Sequence, residues 1–126
     1  MEIQNCYCCS TSPFENCCKP YIYGNLKVPN PEKLMRSRFS AYATQAINYL
    51  ITTTHPTTRK NYKKSDILDW SKNNKWVKLE IIDTTATTVE FKAYFFDHDF
   101  NLQMHHEKST FILDNDIWFY VDGIFY

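Results

Sequence analysis

Thr87-Thr88-Val89-Glu90-Phe91-Lys92-Ala93-Tyr94-Phe95-Phe96 alternates along its length, placing Val89, Phe91, Ala93 and Phe95 on one face. A period of two marks a strand with one buried side. The same period runs through Trp76 to Asp83 before it, and through Leu102 to Leu113 and Ile117 to about Tyr126 after it. His98-Asp99-Phe100-Asn101 and Asp114-Asn115-Asp116 read as the turns between them. Upstream the period lengthens. Asn30 is a good N-cap, Pro31 suits the first helical position, and Glu32 favours the positive end of the dipole. Met35, Phe39, Tyr42, Ala46, Tyr49 and Leu50 then recur at steps of three and four, which predicts one helix with one apolar stripe. Thr52-Thr53-Thr54-His55-Pro56 ends it, because β-branched residues weaken a helix and proline pushes its predecessor out of the α region. A shorter helix is predicted over Ser65–Lys72, with Ser65 as N-cap and Ile67, Leu68 and Trp70 as its apolar side. Helices first and a four-stranded meander afterwards make an α+β pattern, with the main helix packed across a curved antiparallel sheet.

Composition agrees with a folded domain. The chain has 126 residues, 44% hydrophobic and 17% aromatic, with only two glycines. That suits one domain with a small appendage, and it gives enough apolar surface to offset the entropy of ordering. Fourteen basic and fourteen acidic residues leave a formal net charge of zero, which argues against nucleic acid or an anionic membrane as partner. The lysine-rich middle, Arg59 to Lys78, reads as a solvated face. No apolar run approaches bilayer-spanning length. The leading Met1-Glu2-Ile3-Gln4-Asn5-Cys6 has no basic segment followed by an apolar one, so a cytoplasmic protein without a secretory signal is expected.

All five cysteines fall between residues 6 and 18. In a reducing compartment, clustered cysteines are metal ligands more often than disulfides. Cys6-Tyr7-Cys8 precedes Cys17-Cys18 by eight residues, and Ser10-Thr11-Ser12-Pro13 supplies a turn to bring the pairs together. Four thiolates complete a tetrahedral zinc shell and leave no open position, so one structural zinc ion on Cys6, Cys8, Cys17 and Cys18 is expected. Buried reduced cysteines or a redox pair are the alternatives. The spacing resembles the SEC-C motif, a short zinc knuckle also found at the end of the SecA translocation motor. Cys9 departs from it, standing where the motif usually has glycine, and adds a spare thiol that could compete for the metal. Thr11-Ser12 stands where Gly-Lys is common.

Beyond the knuckle come Leu34-Met35-Arg36-Ser37-Arg38-Phe39-Ser40-Ala41-Tyr42, Thr54-His55-Pro56, Val89-Glu90-Phe91, His106-Glu107-Lys108-Ser109-Thr110-Phe111 and Trp118-Phe119-Tyr120-Val121-Asp122-Gly123. With the cysteines, they resemble the YchJ-like family over about residues 5 to 124. The resemblance implies a SEC-C knuckle and a nuclear-transport-factor-2-like (cystatin-like) domain, and it implies no reaction. The expected layout is a knuckle over 1–20, a linker over 21–30 and the α+β domain over 31–126. The last is long enough to fold without a metal, so a chelator is expected to disorder only the knuckle.

Folds of this type often hold a pocket between helix and sheet. Arg36, Arg38, Tyr42, Glu107, Trp118, Tyr120 and Asp122 are its candidate lining. A carboxylate, the neighbouring His105 and aromatic walls suit acid–base chemistry there. Alternation puts His105, Glu107, Ser109 and Phe111 on one face, and Trp118, Tyr120 and Asp122 on one face of the next strand. In the competing reading these groups are structural: Arg36 or Arg38 pairs with Glu107 or Asp122, and Asp122-Gly123 ends the strand in a turn or bulge. Two functions follow. In the first, the knuckle presents a rigid surface to a protein partner. In the second, the pocket takes a small molecule or supports an enzyme.

Overall fold

The computed structural model describes residues 5–126. The expected lack of a secretory signal rests in part on Met1–Gln4, which are also the first four residues of the 1–20 knuckle and lie outside the described residues. Four strands form one meander: β1 (Lys75–Thr84), β2 (Thr88–Phe96), β3 (Leu102–Asp114) and β4 (Ile117–Phe125), hydrogen-bonded in the order β1-β2-β3-β4. The alternation in β2 holds, with Val89, Phe91, Ala93 and Phe95 all buried. Antiparallel register sets Leu79 opposite Ala93, Phe91 opposite Glu107, and Phe111 opposite Tyr120.

Among the described residues, five α-helices precede the sheet: α1 (Lys19–Tyr23), α2 (Pro31–Thr44), α3 (Ile47–Thr52), α4 (Pro56–Arg59) and α5 (Lys64–Asn73). Asn30 caps α2 as expected, its side chain accepting from Lys33 N at 2.9 Å. The long helix is two helices, however. Gln45 adopts the left-handed conformation at φ 59°, Ala46 N donates to Ala41 O at 2.8 Å, and Gln45 N donates to Tyr42 O at 3.3 Å. These are the paired bonds of a Schellman stop. Ala46, Tyr49 and Leu50 therefore lie beyond α2, and Leu50 joins Ala41 and Ile47 in a second small core.

Two further expectations change. The expected linker over 21–30 is helical at its start, because α1 runs from Lys19 to Tyr23. The α5 helix starts at Lys64 with Lys63 as a cap that makes no side-chain bond, so Ser65 is inside it. Its apolar side is only marginally packed: Leu68 and Trp70 stay exposed, and Ser71 alone is buried, donating to Tyr42 O at 2.7 Å. The chain after α3 is pinned to β4 by reciprocal bonds, His55 N to Tyr120 O and Tyr120 N to Thr53 O, both 2.8 Å. That tie fixes the distance between the helical layer and the far side of the sheet.

The main core unites Leu34, Met35 and Phe39 of α2 with Leu79, Val89, Phe91, Ala93 and Phe111 of the sheet. Cys6, Cys8, Cys17 and Cys18 belong to that same cluster. No helix among the described residues is long and apolar enough to cross a membrane.

Candidate metal centre and pocket

The knuckle is a tight hairpin. An isolated bridge joins Asn5 and Pro13, Cys6 N donates to Ser12 O at 2.8 Å, and Cys9 N returns to Cys6 O at 3.0 Å. A 3-10 turn over Phe14–Asn16 then delivers the second pair. The four thiol sulfurs are buried, unpaired by disulfides, and lie within 4.8 Å of one another. Cys8 and Cys17 are 3.7 Å apart and Cys17 and Cys18 are 3.9 Å apart. Tetrahedral zinc at about 2.3 Å from each sulfur would set them about 3.8 Å apart, so the donor set fits such an ion. Without a cation, the thiols oppose one another's ionisation. Hydrogen bonds with Cys6 and Cys8, reinforced by burial, push the Cys18 thiol up, and burial raises Cys17. Cys6 is lowered, receiving hydrogen bonds from Cys18 and Cys8. A central cation favours all four thiolates and removes that conflict.

Cys9 points elsewhere. It is exposed at φ 67°, and its sulfur lies 3.5 Å from Leu79 N of β1. A left-handed φ is the physical reason for glycine at this place in the motif. The knuckle is moored to α2 at two further points: Arg36 Nη1 donates to Cys8 O at 2.9 Å, and Ser40 Oγ lies 3.5 Å from Cys6 Sγ.

Between α2, α5 and the inner face of the sheet lies a cavity of about 220 Å³. Arg38, Tyr42, Glu107 and Tyr120 line it. Arg36 does not, being held by Cys8 O and by Glu32 at 3.0 Å. Trp118 packs against the main core instead. Asp122 is exposed and faces away, because the β3–β4 register shifts between Thr110 and Phe111. That bulge inserts one residue of β4, so Tyr120 and Gly123 share the inner face and Asp122 pairs with Thr110. The expected arginine–carboxylate staple is also absent. Arg38 Nη1 donates to Leu50 O (2.9 Å), Thr53 Oγ1 (2.7 Å) and Thr54 Oγ1 (3.3 Å), and its guanidinium sits 4.5 Å above the Tyr120 ring.

Glu107 is satisfied by other donors. His105 Nε2 lies 2.8 Å from Oε1, and Oε2 accepts from Ser109 Oγ and from Tyr120 Oη at 3.1 Å. Burial would raise this carboxyl, but the bonds from His105 and Ser109 outweigh it and hold the group below its ordinary range. Burial, then the adjacent Glu107 charge, pushes the Tyr120 phenol up, so it stays a donor. Nε2 of His105 is the donor in that pair, because an ionised Glu107 can only accept. His106, on the other face, bonds Glu90 at 2.7 Å. Sequence reasoning did not include Thr54, Tyr62, Trp70 and Trp76 in the lining. His105 and Ser109 were readable, since alternation puts them beside Glu107.

Residues 30–123 match the family model described as YchJ, middle NTF2-like domain. The chain belongs to the YchJ-like family. A UPF0225 protein of Vibrio cholerae is 37% identical to this YchJ-like chain over 127 aligned positions, covering 96% of it and 83% of the relative. A UPF0225 protein of Serratia proteamaculans is 36% identical, covering 94% and 81%. Among solved structures, a SEC-C motif containing protein from Rhodopseudomonas palustris superposes with TM-score 0.88 at 30% identity, covering 96% of this chain and 98% of that one. A SEC-C motif containing protein from Psychrobacter arcticus superposes with TM-score 0.79 at 30% identity, covering 95% and 81%. These matches extend the likeness of the YchJ-like chain across knuckle and sheet together.

Proposed function

We propose that this protein binds a small molecule in the cavity between α2 and the sheet, and that a structural zinc ion in the four-cysteine knuckle holds α2 in place over that cavity. The observation that carries the reading is the convergence of buried Arg38, Glu107 and Tyr120 on one aromatic-walled cavity of about 220 Å³. Cavities with a few fixed polar groups among apolar walls are the usual form of a small-molecule site. Four thiolates are soft donors in a closed tetrahedral shell, which favours zinc in a structural rather than catalytic role. Reduced cysteine ligands suit the cytoplasm.

The test is a fragment screen on the zinc-loaded chain, read by amide chemical shifts. Binders should move the amides of Thr54, Ala93 and Ser109 together; a screen in which no fragment moves them defeats the reading. Elemental analysis of protein purified under reducing conditions should give one zinc per chain.

One observation supports a second reading, a protein partner at the knuckle. Tyr7 is exposed there, with its ring edge-on to Phe14 at 5.2 Å. Deleting the knuckle would also open the core, so Tyr7→Ala is the cleaner change. Loss of a captured partner in that variant, with zinc content unchanged, would establish this role.

A further inference from the structure

We propose that the cavity reads a carboxylate: Arg38 receives the acid group of a small monocyclic aromatic acid whose ring lies among Tyr42, Trp76 and Phe91. This deepens the proposed ligand-binding function and rests on it.

Arg38 is 6% exposed, yet among the described residues no carboxylate lies within ion-pair distance of it. Its protein bonds all leave from Nη1. Nε and Nη2 have no acceptor among the described residues. No described side-chain nitrogen or oxygen is both fully buried and unbonded, so these two nitrogens must meet open space. The open space that Arg38 lines is the cavity. The Nε–H and Nη2–H edge is the side of the guanidinium that matches the two oxygens of a carboxylate. Nη1, anchored to the end of α3, fixes the direction of that edge. The ring of Tyr120 covers one face of the cation.

Glu107, the cavity's own carboxylate, does not fill this place. Both its oxygens are occupied by His105, Ser109 and Tyr120. Tyr120 offers its ring to Arg38 and its hydroxyl to Glu107, so it stands between the two charges. A buried cation without a counter-ion is costly, and an incoming anion removes the cost. At about 30 Å³ per water, about 220 Å³ holds about seven waters, which suits one ring and its acid group rather than a nucleotide.

The experiment compares three size-matched probes, benzoate, benzamide and benzamidine, on the unaltered zinc-loaded chain by amide chemical shifts. Benzoate should move Thr54, Ala93 and Ser109, with a Kd about tenfold or more below that of benzamide, as a charge-assisted bidentate bond requires. Arg38→Gln should remove that difference, bringing benzoate to the affinity of benzamide. Arg38→Lys, which keeps the charge but not the fork, should restore only part of it. Equal affinity for benzamide, or preference for benzamidine, overturns the carboxylate proposal while leaving the cavity as a ligand site. Cavity amides unmoved by all three probes overturn the proposal and count against the ligand-binding function as well. The comparison among probes needs no variant, so it decides the matter even where Arg38→Gln fails to fold.

Discussion

Cys9 is held at φ 67°, a conformation that costs a residue with a Cβ about 1 kcal/mol or more. Its long sulfur contact to Leu79 N is a weak return, since sulfur is a poor acceptor. Cys9→Gly should therefore raise the urea midpoint, and Cys9→Ser should leave one metal ion per chain by elemental analysis. Either change that empties the site would show Cys9 to be a ligand. Glu107 gives a second test. Its folded pKa lies below the unfolded value of about 4.3, so its contribution is complete above that pH and is lost as pH falls through the folded value. Glu107→Gln should cost about 1–3 kcal/mol at pH 7, and urea titrations should show that deficit shrinking as pH falls below the unfolded value of about 4.3. Gly123 guards the same carboxylate, because an added Cβ there would overlap Glu107 Oε2. Gly123→Ala should destabilise by about 1–3 kcal/mol and perturb the Ser109 and Tyr120 signals. Glu107 was legible as a site residue from its neighbours in the chain. Its partners were half legible: alternation gives His105 and Ser109, and Asp122-Gly123 reads as a turn or bulge, but nothing local says that the bulge leaves Tyr120 beside Glu107.

Elements with a clean period were readable to within a residue or two. The strands β1 to β4 and the start of α2 follow from alternation and from Asn30-Pro31. The end of α2 was hidden because Gln45 carries no stop signal, and Ala46, Tyr49 and Leu50 continue the stripe at helical spacing. The apolar side of α5 misled for another reason. Trp70 lines the cavity rather than filling a core, so its hydrophobicity marks a rim, and it meets Trp76 at 6.0 Å and Phe95 at 5.4 Å edge-on. At this scale the Schellman stop is testable. Gln45→Gly should stabilise the chain by about 1 kcal/mol, read as a higher thermal midpoint, since glycine takes φ 59° without strain. A lower midpoint would mean that the Gln45 side chain contributes more than the backbone costs.

Across the whole molecule, the expectation of two independent parts meets a shared core. Cys6, Cys8, Cys17 and Cys18 pack with Leu34, Met35, Phe39 and the sheet, and Arg36 fastens α2 to the Cys8 carbonyl. Metal removal should therefore lower the stability of the entire domain by several kcal/mol, a fraction of the about 10–16 kcal/mol seen for metal-folded peptides. Hydrogen exchange before and after chelation should show α2 losing protection together with residues 6–18. Unchanged α2 protection would restore the knuckle as a separate module. Sequence spacing picked out the four thiols that could hold a metal ion but not their depth, because what buries them is supplied by Leu34 to Ser40 and by strands far along the chain. Chain order adds a consequence for biosynthesis. The thiols leave the ribosome before α2, β1 and β2, the surfaces that will shelter them, have been made. Until those surfaces exist the four thiols have no cover, so the newly made chain is most open to oxidation before β2 is complete.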